Sequence, residues 1–280
     1  MIIMEEKTCV SSKDNLVEKR NLAGHHKHFS LPSKSKTNDV AVKYLIGRGI
    51  DKEIIDYCVS NGFIYESIYY PWLFNAKTNT YFKSKKGHRN VVFVGYKPNG
   101  KPGFASWHST TGPKKGIIPG SRKEYSFQLI GDKGNPNVHI FKSELDLLSY
   151  ATLLKRRGLA WDKQNFVTVG GPYVPDKKNP KLPISMKSYF AIHPTVKEDP
   201  LLRNMGEEFQ KEAPKKTRER VVYLYFDNTK YGRRTSKVVT ELLEKTTHYT
   251  VMDIVARMNF NSKDLNSYLL SEIKKESNAG

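Results

Sequence analysis

Cysteine is nearly missing from this 280-residue chain, which holds only Cys9 and Cys58. They stand far apart without Cys-x-x-Cys partners, which excludes a zinc knuckle and a disulfide framework. Long apolar runs are lacking too: no stretch approaches the roughly eighteen apolar residues of a membrane span. The apolar start, Met1 to Met4, meets Glu5, Glu6 and Lys7 at once, unlike a secretory signal. These absences fit a soluble protein of a reducing, cytoplasmic compartment with no membrane partner. The glycine-bearing basic loop from Gly116 to Lys123 lacks the Gly-Lys-Ser/Thr ending of a Walker A loop.

Acid is also scarce. Lys and Arg number 47 against 28 Asp and Glu, for a net charge of +19, a bias that favours polyanions. Between Glu66 and Glu124 no acidic residue occurs, yet eleven Lys and Arg alternate there with aromatics such as Tyr69, Trp72, Tyr81, Phe93 and Trp107. Cations neutralise phosphates while aromatic faces stack bases at roughly 1–3 kcal/mol each. The expected nucleic-acid contacts in this interval are Lys83, Lys85, Lys86, Arg89, Trp107, Lys114, Lys115, Arg122 and Lys123.

Along the chain, residues 1–36 read as a disordered basic leader. Helices follow from Asp39 to Gly47 and, with Asp51 as N-cap, to Asn61-Gly62. A strand at Gly62–Tyr65 precedes a hairpin of Arg89–Gly95 and Gly103–Trp107 across the turn Lys97-Pro-Asn-Gly100. Tyr125–Ile130 reads as a further strand, closing a smaller α+β domain over 37–130. Residues 136–280 alternate strand and helix: Val138–Phe141, a helix from Leu145 to Arg157, Phe166–Gly171, a helix around Ile184–Phe190, Val221–Phe226, a helix from Gly232 to Lys245, a strand at Val251–Val255 and a last helix from Asn261. A charged insert, about 191–220, interrupts the series. The pattern predicts an α/β fold with a mostly parallel sheet flanked by helices, whose strand ends carry ligands.

Two strand ends carry a resemblance. Phe141-Lys-Ser-Glu-Leu-Asp146 and Val221–Asp227 with Asn228-Thr229 resemble the first and third strand ends of a TOPRIM domain, the metal-binding fold of primases, topoisomerases and some nucleases. There the first strand ends in Glu with Asp four residues on, and the third in Asp-x-Asp. The alignment sets Lys142 at the Glu and Thr229 at the second Asp, and it retains Asp146 and Asp227, with Asp264 as a further acid. The preceding segment resembles the domain of unknown function DUF3991 of conjugative elements and plasmids, through Tyr44-Leu45 with Arg48-Gly-Ile50, Val91–Gly95, and Gly120-Ser121 with Tyr125-Ser-Phe127. The resemblance implies a Mg²⁺ site of Asp146, Asp227 and Asp264, weakened or lost through Lys142, which either pairs with Asp227 or points to solvent. Lys142 and Arg233 join the expected nucleic-acid contacts.

Three functions follow as expectations. The first is a catalytically impaired nucleic-acid-binding protein of a plasmid, phage or conjugative element, accessory to DNA replication or transfer. Its partners would be DNA, single-stranded by preference, or RNA, with replication or conjugation proteins beside them. The second is an active Mg²⁺-dependent primase or nuclease using Glu144 and Asp227. The third is a protein-binding adaptor, in which charge serves solubility.

Overall fold

The computed structural model describes residues 28–70, 72–75, 78–132, 134–194, 220–247, 249–257 and 261–279. Most of the expected leader (1–27) and of the charged insert (195–219) lies outside the described residues.

Helices α1 (Asp39–Gly47) and α2 (Lys52–Ser60) open the described chain. Asp51 starts α2 by accepting the Glu53 amide at 2.9 Å, as an N-cap does. Strands β1 (Ile64–Tyr69), β4 (His88–Tyr96), β5 (Pro102–Ser109) and β6 (Lys115–Ile117) form an antiparallel sheet in the order β1-β4-β5-β6. Both faces of the central residues of β4 are covered, which is why Val91–Val94 are all apolar: Val91 and Phe93 join the main core, Val92 and Val94 a smaller one. At Gly95 an added Cβ would overlap the Tyr125 carbonyl, so only glycine lets the chain cross there.

Three expectations need correction here. Residues 28–36 are not a free leader: Phe29 and Leu31 pack on the smaller core, and Ser35 donates its amide to the Glu66 carbonyl at 2.8 Å. Those two apolar side chains give the segment something to bury. Next, a hairpin of β2 (Trp72–Asn75) and β3 (Thr80–Lys83) lies where only a basic aromatic stretch was expected. Finally, Tyr125–Ile130 is not one strand. Lys123–Tyr125 is a 3-10 turn and β7 is only Gln128–Ile130, which pairs with the second sheet.

The second sheet takes the order β11-β10-β8-β9-β7. Strands β8 (Val138–Phe141), β9 (Asn165–Thr168), β10 (Val221–Tyr225) and β11 (Thr250–Asp253) are parallel, and β7 is the antiparallel edge. Helices α3 (Glu144–Arg156), α4 (Ile184–Ile192), α5 (Lys230–Thr246), α6 (Ile254–Arg257) and α7 (Leu265–Ala279) complete the chain, the last starting four residues later than expected. The architecture is therefore the expected one, a mostly parallel α/β sheet flanked by helices and preceded by a smaller α+β unit.

The two faces of the sheet differ in chemistry. Toward α4 and α5, β8 and β10 present aliphatic Val138, Ile140, Val222 and Leu224. Toward α3 and α7 they present rings: His139, Phe141, Tyr223 and Tyr225. The core on this second face continues without a break into the first unit, joining Leu45, Ile54 and Phe93 to Phe141, Leu147 and Leu269. Cys58 is buried in it, its thiol pushed up to about 12 by desolvation, so it serves packing and not chemistry.

Candidate nucleic-acid interface at the strand ends

The sheet topology fixes where a site can form. From β8 the chain runs to β9 on one side, then returns to β10 on the other. The crevice between β8 and β10 is thus a switch point, and ligands bind beyond the carboxyl ends of the strands at such points. Lys142 follows β8 there and Asp227 follows β10.

The two form an ion pair. Lys142 is 45% exposed and Asp227 only 8%, so the ammonium caps the carboxylate from the solvent side. At Gly232 an added Cβ would overlap the Asp227 carbonyl, so α5 abuts the loop that carries Asp227. Thr229 is the N-cap of α5 and accepts the Gly232 amide at 3.1 Å. Its hydroxyl serves as a cap where the resemblance implied a metal-binding carboxylate.

Asp146 lies one helical turn beyond Lys142. Ser143 is the N-cap of α3: its hydroxyl donates to Asp146 Oδ2 at 2.6 Å and accepts the Asp146 amide at 3.3 Å. Burial, with the charges of Asp264 and Asp227 nearby, pushes the Asp146 carboxyl up to about 7. Asp264 itself caps α7, accepting the Ser267 amide at 2.8 Å. The three acids are neighbours, but among the described residues no three His, Cys, Asp or Glu side chains gather as a metal site.

The donor set does not fit Mg²⁺. A dication needs several free oxygens, and here Asp227 is neutralised by Lys142 while Asp146 is already engaged. An ammonium near 4 Å would oppose the ion by about 4 kcal/mol per unit charge at an effective dielectric near 20.

Glu144 turns elsewhere. Its carboxylate is buried against β5, accepting the Ser106 hydroxyl at 2.5 Å and lying 3.6 Å from His108 Nε2. Burial acts to raise its pKa, but His108 and Ser106 outweigh that and hold it low. This polar contact ties α3 to the first sheet, and a carboxylate so held is not positioned as the proton-transfer group of Asp227. Sequence reasoning missed Ser106 and His108 as partners, because nothing local marks a contact 38 residues away.

The expected phosphate contacts fall into groups. Strand register sets Lys85 and Lys86, before β4, and Lys114 and Lys115, at the start of β6, at one end of the first sheet; all four are exposed. Lys83 ends β3, and its side chain lies outside the described ones. Arg122 sits at the other end of the sheet, where it pairs with Glu124 at 3.2 Å and covers the Tyr125 ring. Lys123 and Lys142 border neighbouring cavities of about 240 and 170 Å³ that share Tyr173 and Val174. Arg233, on the exposed side of α5, donates to Asn228 Oδ1 at 2.7 Å.

Arg89 and Trp107 have structural partners instead. Arg89 pairs with the fully buried Glu66, which also accepts the Val40 and Ala41 amides at 2.9 and 3.0 Å. Glu66 thereby caps α1 across the fold, and an acid inside the apolar stretch Phe63–Tyr70 was the available signal. Trp107 is half-buried against the smaller core, with Gly116 beneath its ring.

Residues 43–133, about a third of the chain, match the family model described as protein of unknown function (DUF3991). No curated protein matches the chain. Among solved structures, it is similar to the primase fragment of the bacteriophage T7 primase-helicase protein, at 14% identity over 92% of this chain and 82% of that one, TM-score 0.45. It is also similar to a DNA primase domain from Pseudomonas aeruginosa, at 14% identity over 96% and 77%, TM-score 0.33. For the E. coli primase catalytic core the identity is 9% over 85% and 71%, TM-score 0.40.

Proposed function

We propose that this chain is a nucleic-acid-binding TOPRIM-like protein whose strand-end site works without Mg²⁺ and without phosphoryl-transfer chemistry. The observation that carries the reading is the Lys142–Asp227 ion pair at the switch point. It puts a fixed cation where such a fold would hold a metal, so a phosphate can be met by protein charge alone. Further support comes from α5, whose first turns carry Lys230, Arg233 and Arg234 and no acid. Cations are disfavoured at a helix N-terminus, so their crowding there adds to a positive field that suits a polyanion. The exposed lysines at the end of the first sheet extend that field.

In this reading the protein binds single-stranded DNA or RNA as an accessory to the replication or transfer of a mobile element. Phosphates contact Lys142, the α5 turn and the Lys85–Lys86 and Lys114–Lys115 pairs. Replication or conjugation proteins would act beside it. The enzyme alternative draws no support from Glu144, whose oxygens face Ser106 and His108.

Fluorescence anisotropy of labelled single-stranded DNA, in EDTA and in Mg²⁺ over a salt series, tests the proposal. Salt-sensitive binding unchanged by Mg²⁺ is expected. Binding or strand synthesis and cleavage that require Mg²⁺ would overturn it, and no binding at moderate salt would leave the adaptor reading.

A further inference from the structure

A cavity of about 360 Å³ runs along the ring-bearing face of the second sheet. It reaches from Asn137, just before β8, and from Leu153, Leu154 and Arg157, at the end of α3, to Tyr225, Ile254 and Leu265. Because α3 runs back from the carboxyl edge, Asn137 and Arg157 lie toward the amino end of the strands. Neither Lys142 nor Asp227 borders it.

Its lining is unusual for a gap between a sheet and helices. Five rings border it, His139, Tyr150, Tyr223, Tyr225 and Tyr268, drawn from β8, α3, β10 and α7. His139 and Tyr223 stack across the strands at 4.6 Å and 14°, and Tyr150 meets Tyr225 at 4.6 Å. The opposite face of the same strands is aliphatic and fully covered. His139 and Tyr225 are buried, but Tyr150, Tyr223 and Tyr268 are only half-buried, so part of this ring face stays open to a planar group.

Charge supplies the second element. No acidic residue lines the cavity, and Arg157 is its one charged group. The preceding cations are committed: Lys155 to Asp51 and Glu53, Arg156 to Glu276. Arg157 forms no ion pair among the described residues, and its field reaches the Tyr150 hydroxyl. Burial takes the His139 ring down to about 4, so it stays neutral, and its Nδ1 lies 3.0 Å from the Tyr225 hydroxyl. The Gln164 amide borders the same space.

We infer that this cavity is a binding site for an aromatic mononucleotide, its base among the tyrosine rings and its phosphate on Arg157. Ring faces and edges both suit a planar base, a guanidinium suits a phosphate in bidentate geometry, and the volume lies in the range of ligand pockets, roughly 300–1,000 Å³. The site is separate from the nucleic-acid surface proposed above and does not depend on it.

Isothermal titration calorimetry of the full chain with AMP and UMP tests the inference, with ribose 5-phosphate and an unphosphorylated oligonucleotide as controls. The wild type should bind one mononucleotide and ignore ribose 5-phosphate. Arg157→Gln, an exposed change that spares the fold, should weaken binding by about tenfold or more, as expected when a charge-assisted hydrogen bond is removed. Tyr223→Leu, checked for folding by circular dichroism, should weaken it too, while Lys142→Gln should not. No heat with either nucleotide at millimolar concentration would overturn the site. So would binding that Lys142→Gln abolishes and Arg157→Gln does not, or displacement of AMP by the oligonucleotide.

Discussion

Asn266 Nδ2 donates to the Arg48 carbonyl at 2.8 Å and also reaches Ser149 Oγ at 2.9 Å. One buried amide thus joins the start of α7, the end of α1 and the middle of α3. Asn266→Ala should lower the unfolding free energy by about 2 kcal/mol, since two hydrogen bonds go and a buried carbonyl is left without its donor. Urea denaturation measures this, and the affinity of the folded variant for single-stranded DNA should stay as in the wild type.

Lys142 makes a charge-reversal experiment informative. Lys142→Glu removes the ammonium from Asp227 and adds a carboxylate at the same crevice. The thermal midpoint of the wild type should be indifferent to millimolar Mg²⁺, whereas that of the variant should rise with Mg²⁺, as linkage requires of a ligand that binds the native state. The variant should also bind single-stranded DNA more weakly. A wild-type midpoint that climbs with Mg²⁺ would contradict the proposed function.

Two buried groups give stability opposing pH dependences. The folded pKa of His139 is depressed from 6.5 to about 4, so the unfolded chain takes up that proton first, and stability falls by up to about 3 kcal/mol as pH drops through this window. The folded pKa of Asp146 is raised from 3.8 to about 7. The native state keeps that proton longer, and stability falls by up to about 4 kcal/mol as pH rises through its window. Asp146→Asn mimics the protonated acid and removes the second effect. Its stability relative to wild type should therefore increase by about 4 kcal/mol between pH 4 and pH 8, read from urea midpoints; a difference that does not change with pH would refute the assignment.

Arg89 and the lysine pairs should behave in different ways. Arg89→Gln should cost about 1–2 kcal/mol of stability, by stripping a partner from the buried Glu66, without altering the salt dependence of DNA binding. Lys114→Gln with Lys115→Gln should leave stability unchanged and reduce the salt slope by about one for each phosphate no longer neutralised.

Much of the architecture is legible in the sequence because it rests on local rules. The hairpin β4–β5 announces itself by an apolar run on each side of Lys97-Pro-Asn-Gly100, and β8–α3 and β10–α5 by a buried strand running into a capped helix. The nearness of Lys142 and Asp227 follows from two adjacent parallel strands. What the sequence hides is long-range or contrary to local appearance. Glu144 sits in a motif that points to Asp227, yet its carboxylate is claimed by Ser106 and His108 on another sheet. Arg89 looks like one more phosphate ligand, but an acid on the neighbouring strand holds it. The β2–β3 hairpin escaped notice because its aromatics, with Lys77 and Lys83 among them, also describe a binding surface.

The continuous core has a last consequence, for anyone who would cut the molecule. The family segment, residues 43–133, keeps Leu45, Ile54, Ile55 and Phe93 covered only by also touching Leu147, Leu148 and Leu269 from beyond its end. A fragment stopped at residue 133 would bare that apolar surface at roughly 25 cal/mol per Å², and would leave β7 without its partner β9. Such a piece is an unfinished half and not a portable module: it should aggregate or stay unfolded alone, and recover its shape only when the missing half is supplied in trans.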